Sequence, residues 1–197
     1  MAREIWLIRH GETEWSRSGA HTGRTDLPLT EAGRRNAAAV GRWLAGRAFS
    51  LVLTSPLARA RDTCRLAGYG DAAKVEPNLC EWDYGDYEGR TSADICRENP
   101  GWSIWAAGPL HGETIAQVGA RAQAVLARVL SPEGGEGDAA LFAHGHILRI
   151  LTACWLGLAP DCGRLFALST ASVSVLGYEH DTRVIAQWNL PAAGLAG

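Results

Sequence analysis

The sequence predicts an α/β protein folded as a three-layer αβα sandwich around a mostly parallel sheet. Short apolar runs at residues 5–8, 51–54 and 139–143 have the length and composition of fully buried strands. Segments with helical periodicity separate these runs, and strands that alternate with helices form parallel sheets covered on both faces. Because 197 residues suit one such unit, we expect a single domain over residues 1–197, with residues 191–197 as a frayed tail.

Composition and charge argue against nucleic-acid or membrane partners. The formal net charge is −2, so the chain lacks a basic field that would attract polyanions. The longest apolar stretch, residues 147–159, contains Arg149 and is too short to cross a bilayer. The five cysteines form no Cys-x-x-Cys pattern, so neither a disulfide framework nor a zinc site is expected. Without a signal-peptide pattern, a cytoplasmic location is expected.

The first strand leads through a loop into a helix. Residues 11–29 are polar and contain glycine, which is typical of a loop. Thr30 then occupies the N-cap position of a helix that we expect to end near Leu44.

A second strand and helix follow at once. The strand at residues 51–54 is followed by Ser55 and Pro56, a pattern typical of an N-cap with proline at the first helical position. The helix then buries a stripe of residues spaced by three and four. The sequence at residues 74–76 predicts a third strand at an edge of the sheet.

The middle of the chain, residues 80–113, is irregular and rich in tryptophan, glycine and acidic residues. A short helix is expected at 92–98, stopped by Asn99-Pro100-Gly101. From 113 to about 130 the apolar residues trace an amphipathic helix.

The last third predicts a strand, a helix and a final pair of strands. A glycine-rich loop at 132–138 precedes the apolar strand at 139–143, which ends in His144-Gly145-His146. A helix follows, and two strands at 173–178 and 184–188 close the fold.

Arginine and histidine side chains gather at the ends of the predicted strands. Arg9 and His10 follow the first strand, Arg59 lies in the first turn of the helix after the second, and His144 follows the strand at 139–143. Ligand sites of open α/β sheets lie beyond the carboxyl ends of the strands, so these side chains are expected to converge. For the Arg-His-Gly motif alone, the alternative is a histidine satisfied by backbone at a strand end.

The convergence favours phosphoryl transfer. A phosphomonoester carries about −1.5 to −2 charges near pH 7, which two arginines and a histidine can neutralise through charge-assisted hydrogen bonds. We also expect the helix after His144 to direct its N-terminal amides at the same anion.

Four motifs, in this order, resemble those of the histidine phosphatase superfamily, the phosphoglycerate-mutase-like enzymes, over nearly the whole chain. They are Arg9-His10-Gly11, Ser55-Pro56-Leu57-Ala58-Arg59-Ala60, Glu81-Trp82-Asp83-Tyr84-Gly85 with Glu88-Gly89, and His144-Gly145. The resemblance implies that His10 is the nucleophile that becomes phosphohistidine. It also implies that Arg9, Arg59 and His144 hold the phosphoryl oxygens, that Glu81 protonates the leaving oxygen, and that neither a metal nor a cofactor takes part.

The protonation state of Glu81 is left open by the sequence. Its aromatic neighbours and an incoming dianion favour the neutral acid, whereas the arginines oppose it. The alternative for Glu81 is a surface carboxylate in a salt bridge.

Further positions are candidates for substrate contact. Thr22 and Gly23 match a substrate-touching pair of the family, Ser16 stands where many members have asparagine, and Arg149 would reach a second phosphate from one turn inside its helix. Their alternatives are loop residues and a solvated helix arginine. Tyr84 and Gly145 complete the candidate set, with core packing as the alternative for Tyr84. We interpret the other histidines (21, 111, 146 and 180), Trp102 and Trp105 as structural.

Within the superfamily, the chain looks most like the subgroup that contains sedoheptulose-1,7-bisphosphatase and bacterial acid-phosphatase-like proteins. This resemblance implies a phosphatase for sugar phosphates or related small metabolites, although His21 stands where a tyrosine is expected. A cofactor-dependent phosphoglycerate mutase is the alternative, disfavoured because Arg90 and Arg97 are the only cations between Gly89 and Glu113. A catalytically inactive phosphate-binding domain is the third reading. Dimerisation is common among such proteins, so a homodimer is possible.

Overall fold

A computed structural model describes residues 3–192 and contains one six-stranded sheet. The strands are β1 Ile5–Arg9, β2 Leu51–Thr54, β3 Ala73–Val75, β4 Ala139–Ala143, β5 Ser172–Glu179 and β6 Thr182–Pro191. Their order is β3-β2-β4-β1-β5-β6. The first four in this order pair in parallel, and β5 and β6 join antiparallel at one edge. The predicted α/β fold with a mostly parallel sheet is confirmed.

Helices cover both faces of the sheet. They are α1 Glu14–Ser18, α2 Glu31–Leu44, α3 Ala58–Leu66, α4 Ser92–Glu98, α5 Ile104–Ala107, α6 Ile115–Leu130 and α7 Gly145–Trp155. The pair α2 and α3 packs on one face, and the pair α6 and α7 packs on the other. Among residues 3–192, no helix combines the length and apolarity needed to span a membrane.

Strand β1 shows how the sequence forms two cores. Successive side chains of a strand point to opposite faces, so Ile5 and Leu7 enter the core beneath α6 and α7. Trp6 and Ile8 enter the core beneath α2 and α3. All four are buried, and each contributes about 1.5–3 kcal/mol of hydrophobic stabilisation.

Two short helices were not predicted. Helix α1 lies inside the expected loop 11–29, because Thr13 and Ser16 form a reciprocal capping box that satisfies the amides of one turn. Helix α5 interrupts the irregular region 80–113, and the Ser103 hydroxyl accepts from the Trp105 N–H at its start.

The predicted start of α3 is wrong. The helix begins at Ala58, after Leu57 at the N-cap, which has no capping side chain. Asp26 supplies the missing acceptor, since its carboxylate receives the Ala58 N–H at 2.8 Å. The Ser55 hydroxyl accepts from the Leu57 N–H at 3.3 Å, one residue before the helix begins, and is also bonded to His144 at the strand ends.

The predicted frayed tail is wrong for the two of its residues that the structure describes. Pro191 pairs with Ser172 in the β5–β6 ladder. Ala192 is buried, and its N–H donates to the Ala171 carbonyl. The rest of that prediction, residues 193–197, lies outside the described residues.

A close backbone contact fixes the chain immediately after His10. A Cβ atom on Gly33, in the first turn of α2, would lie 2.2 Å from the Glu12 carbonyl oxygen. A Cβ atom on Gly11 would lie 2.4 Å from the Gly33 carbonyl oxygen. Only glycine at both positions allows this approach.

We expect Gly33→Ala to destabilise the protein by about 1–3 kcal/mol, the usual cost of forcing extra volume into a packed site. This holds although alanine is the better helix former by roughly 0.5–1 kcal/mol. Urea unfolding measures the difference. Arg35→Ala, at an exposed position of the same helix, is the control and should stay within about 0.5 kcal/mol of wild type. A Gly33→Ala protein as stable as this control would contradict the contact.

Candidate active site

The carboxyl ends of β1 and β4 bring two histidines side by side. The parallel register pairs Arg9 with Ala143, so His10 and His144 are the next residue on each strand. The His10 N–H donates to the Ala143 carbonyl at 3.0 Å, and the two imidazole rings lie 5.1 Å apart between centroids.

His10 is held as a neutral imidazole with one free nitrogen. Its Nδ1 lies 2.7 Å from the Gly11 carbonyl oxygen, which can only accept, so Nδ1 carries the proton. The Nε2 lone pair is therefore available. Burial, followed by the positive charges of Arg9 and Arg59, lowers the pKa of His10 well below its ordinary value.

Arg9 supplies donors beside this imidazole. One terminal nitrogen donates to the Leu168 carbonyl, whereas the buried Nε has no hydrogen-bond partner among the described residues. A Cβ atom on Gly145 would lie 3.3 Å from the guanidinium carbon, so Gly145 leaves room for this side chain. A buried unpaired N–H next to a neutral imidazole suits an anionic oxygen.

His144 is oriented by Arg59 from one side and by Ser55 from the other. Arginine is only a donor, so the 3.1 Å contact from Arg59 Nε makes His144 Nδ1 an acceptor. The His144 proton is then on Nε2, which donates to the Ser55 hydroxyl at 2.7 Å. Burial, followed by the Arg59 charge, lowers the pKa of His144 well below its ordinary value.

Arg59 is fully buried and bonded to protein acceptors. Besides His144, it donates to the carbonyl oxygens of Thr22, Gly23 and Thr25, at 2.8 to 3.0 Å. Arg59 and His144 do not line the cavity beside His10. In this geometry they contact residues behind the cavity wall. Their predicted contact with phosphoryl oxygens stays a prediction.

Loop 22–25 is held from both sides. While its carbonyls accept from Arg59, its amides at Gly23, Arg24 and Thr25 donate to the Glu88 carboxylate at 2.7 to 3.2 Å. A Cβ atom on Gly23 would lie 2.4 Å from the Trp82 carbonyl oxygen, so this position requires glycine.

Glu81 binds the N-terminus of α7. One carboxylate oxygen accepts from the Trp82 and Ile147 N–H groups, and the other accepts from the His146 N–H at 2.9 Å. The expectation that the amides of this helix face the phosphate is wrong for His146 and Ile147. A side-chain carboxylate from a distant segment occupies the anion site that the helix N-terminus offers.

A cavity of about 480 Å³ opens above His10. Arg9, His10 and Glu81 form its polar end, and aromatic and hydroxyl side chains form its walls. Five of the six predicted substrate residues line it: Ser16, Thr22, Tyr84, Gly145 and Arg149. The sixth, Gly23, lies behind the wall with its amide bonded to Glu88.

Arg149 is fixed against the cavity wall. Its Nε donates to the Gly163 carbonyl, one terminal nitrogen donates to the Arg164 carbonyl, and its guanidinium lies 4.6 Å from the centroid of the Trp105 ring. These contacts leave further N–H groups for a second anionic group of a ligand.

Four residues interpreted as structural also line the cavity: His21, Trp102, Trp105 and His146. His146 is bonded to the Tyr84 hydroxyl at 2.6 Å, and the His21 ring lies 4.7 Å from the Tyr84 ring. One sequence signal could have identified His146, since it lies in the first turn of the helix that starts at a strand end. No such signal existed for His21 or the tryptophans, which come from irregular segments.

The arrangement can attack a phosphorus atom, hold its oxygens and exchange a proton with a leaving group. In the described part of the chain, no group of three or more His, Cys, Asp or Glu side chains is placed to hold a metal ion.

Comparison with known proteins identifies the family. Residues 5–191 match the model of the histidine phosphatase superfamily, branch 1. The chain belongs to this superfamily and is a phosphoric monoester hydrolase.

Two curated relatives are similar over most of the chain. An acid phosphatase of Mycobacterium tuberculosis is 40% identical, over 92% of this chain and 90% of its own. The sedoheptulose 1,7-bisphosphatase of Saccharomyces cerevisiae is 38% identical, over 77% of this chain and 67% of its own. The resemblance to a subgroup with these two kinds of protein is confirmed.

A solved structure agrees with the fold. The mycobacterial glucosyl-3-phosphoglycerate phosphatase superposes with a TM-score of 0.85 at 30% identity, covering 96% of this chain and 100% of its own.

The lowered pKa values of the buried histidines predict how the free energy of unfolding depends on pH. In the unfolded chain histidines take up protons near pH 6.5, whereas burial and nearby positive charge keep folded His10 and His144 neutral to lower pH. Below about pH 6.5 the unfolded state therefore binds more protons, and the free energy of unfolding should fall, by up to about 1.4 kcal/mol per pH unit for each histidine.

Urea unfolding at several pH values between about 5 and 8, on both sides of the ordinary histidine pKa, measures how steeply the free energy of unfolding changes with pH. His144→Asn should make the slope shallower, and His180→Asn, at an exposed position, should leave it unchanged. Equal slopes in wild type and His144→Asn would refute the assignment.

Proposed function

We propose that this chain is a metal-independent phosphomonoesterase that works through a phosphohistidine on His10. The observation that carries the proposal is a neutral His10 with a free Nε2, beside the unpaired Nε of Arg9, at the polar end of the cavity. A nucleophile and an oxygen donor at the bottom of one cavity are what phosphoryl transfer requires.

In the first step, His10 Nε2 attacks phosphorus and the ester P–O bond breaks. The leaving oxygen takes a proton from Glu81 and departs as an alcohol. Arg9 stabilises the phosphoryl oxygens, with Arg59 and His144 as the further predicted ligands.

Glu81 has to gain a proton before it can act as the acid. Its two carboxylate oxygens accept hydrogen bonds from three backbone N–H groups, which fix the carboxyl group in the lining of the cavity.

In the second step, water attacks the phosphohistidine. Glu81, now a carboxylate, takes a proton from the water, the N–P bond breaks, and inorganic phosphate leaves. The cycle returns both His10 and Glu81 to their starting protonation states.

Small sugar phosphates or related metabolites are the proposed substrates. The cavity is lined by aromatic rings that can pack against the apolar side of a sugar ring, those of Tyr84, Trp102 and Trp105. It is also lined by Ser16 and Thr22, whose hydroxyl groups can form hydrogen bonds with the hydroxyls of a sugar. Arg149 could take a second phosphate or a carboxylate, as in a sedoheptulose-bisphosphatase-like substrate.

A phosphoglycerate mutase is the alternative. Such an enzyme re-donates its phosphoryl group and would benefit from extra cations around the leaving group. Arg90 is paired with Glu98, Arg97 is paired with Asp94, and neither lines the cavity. This distribution favours water as the acceptor of the phosphoryl group.

The third interpretation, an inactive phosphate-binding domain, is disfavoured because His10 and Glu81 both line the cavity. A single domain, a cytoplasmic location and a homodimer remain predictions.

We expect His10→Ala to abolish turnover, since it removes the imidazole that attacks phosphorus in the proposed mechanism. A rapid quench of the wild type and a ³²P-labelled ester in alkaline sodium dodecyl sulfate should trap an acid-labile, base-stable phosphoenzyme that is missing in His10→Ala. His180→Ala is the surface control. A His10→Ala protein with normal turnover would refute the nucleophile.

A substrate panel separates the phosphatase from the mutase. We expect inorganic phosphate from sugar monophosphates and bisphosphates, and no net conversion of 3-phosphoglycerate into 2-phosphoglycerate. Arg149→Met should raise KM for bisphosphates more than for monophosphates, because it removes the proposed contact with the second anion. Interconversion of the phosphoglycerates without phosphate release would establish the mutase instead.

A further inference from the structure

The segment that carries Glu81 belongs to no helix or strand. It runs from Cys80 to Asp83, between the single helical turns Pro77–Leu79 and Gly85–Tyr87. An acid that must meet a leaving oxygen needs a fixed position, so contacts from elsewhere have to hold this segment.

One arginine on α6 holds the backbone on both sides of Glu81. Arg121 donates from one terminal nitrogen to the Asn78 and Cys80 carbonyls, both at 2.8 Å. Its other terminal nitrogen reaches the Glu81 carbonyl at 3.4 Å. The fork geometry of a guanidinium allows these contacts at once, which an ammonium group cannot match.

Arg121 forms an ion pair with Glu113, and we call these two side chains the clamp. Glu113 receives two hydrogen bonds from Arg121, at 2.8 and 2.7 Å, in a bidentate pair. One of its carboxylate oxygens also accepts from the Asp83 N–H at 3.0 Å, and its backbone carbonyl accepts from the Trp82 indole at 2.7 Å. Every residue from 80 to 83 thus touches this ion pair.

The pair is well shielded from water. Its side chains are 18% and 19% exposed. Burial favours protonation of Glu113, but the hydrogen bonds from Arg121 and Asp83 and the Arg121 charge keep the pKa of Glu113 below its ordinary value. The clamp therefore stays ionised over the working pH range.

We propose that Arg121 and Glu113 are positioning residues for proton transfer by Glu81. Neither lines the cavity beside His10; they fix the backbone from which Glu81 reaches both the cavity and the α7 amides. This inference rests on the proposed function, in which Glu81 protonates the leaving oxygen.

The same helix provides a matched control. Arg128, two turns further along α6, forms an ion pair with the buried carboxylate of Glu76. That pair lies beside the preceding turn, and no hydrogen bond joins it to residues 80–83. Loss of either arginine leaves a buried acid unpaired, but only loss of Arg121 releases the Glu81 segment.

The experiment compares two esters that differ in their need for an acid. The 4-nitrophenolate of 4-nitrophenyl phosphate leaves without a proton, whereas the alkoxide of glycerol phosphate requires one. We expect Arg121→Met to lower kcat/KM for glycerol phosphate on the order of 10²-fold, the usual effect of misplacing a catalytic group by about 1 Å, with little change for 4-nitrophenyl phosphate.

Four further variants complete the test. Glu81→Gln should reproduce this selective loss, and the Arg121→Met, Glu81→Gln double variant should lose little more than Glu81→Gln alone, because both act on one proton transfer. Arg121→Lys should recover part of the glycerol phosphate activity. Arg128→Met should be destabilised without a selective loss. If Arg121→Met does not fold, Glu113→Gln takes its place.

The outcomes separate the inference from the function on which it rests. Equal losses on both esters, or losses that multiply in the double variant, would show a merely structural pair and overturn the inference. A wild-type protein that hydrolyses neither ester would overturn the proposed function, and the inference with it.

Discussion

The buried guanidinium of Arg59 is the interaction on which the geometry of the site depends. A charge that leaves water is tolerated only when protein acceptors replace its hydration, and Arg59 finds them on His144 and on three carbonyls of loop 22–25. These bonds join the end of β4, the start of α3 and a loop that no regular structure supports. Because Glu88 holds the amides of the same loop, its backbone is fixed from both sides.

The site also depends on keeping an imidazole neutral and a carboxylate ready to be protonated within one small volume. Burial and two arginine charges push His10 towards the neutral form. Glu81 is held differently, because the backbone N–H groups of Trp82, His146 and Ile147 donate to its carboxylate oxygens. The proposed mechanism needs an unprotonated nitrogen on His10 and a proton on Glu81.

The cavity has two ends with different origins in the fold. The end of β1 provides Arg9 and His10, so these two side chains are held by the sheet. The irregular region 80–113 provides Tyr84, Trp102 and Trp105, which line the rest of the cavity and in the proposed mechanism face the leaving group. Changes in that region can alter which ester is accepted while the groups around phosphorus stay in place.

The sequence by itself determined the α/β class, the buried strands and the gathering of Arg9, His10 and His144, because periodicity and strand ends are local properties of a chain. It also placed Glu81 in the site through its motif. Local patterns could not show that Glu81 occupies the N-terminus of α7, that the Ser55 hydroxyl bonds His144, or that His21 and His146 line the cavity. Each of these depends on which polar group of a distant segment comes within about 3 Å, the reach of a hydrogen bond, and only the tertiary structure decides that.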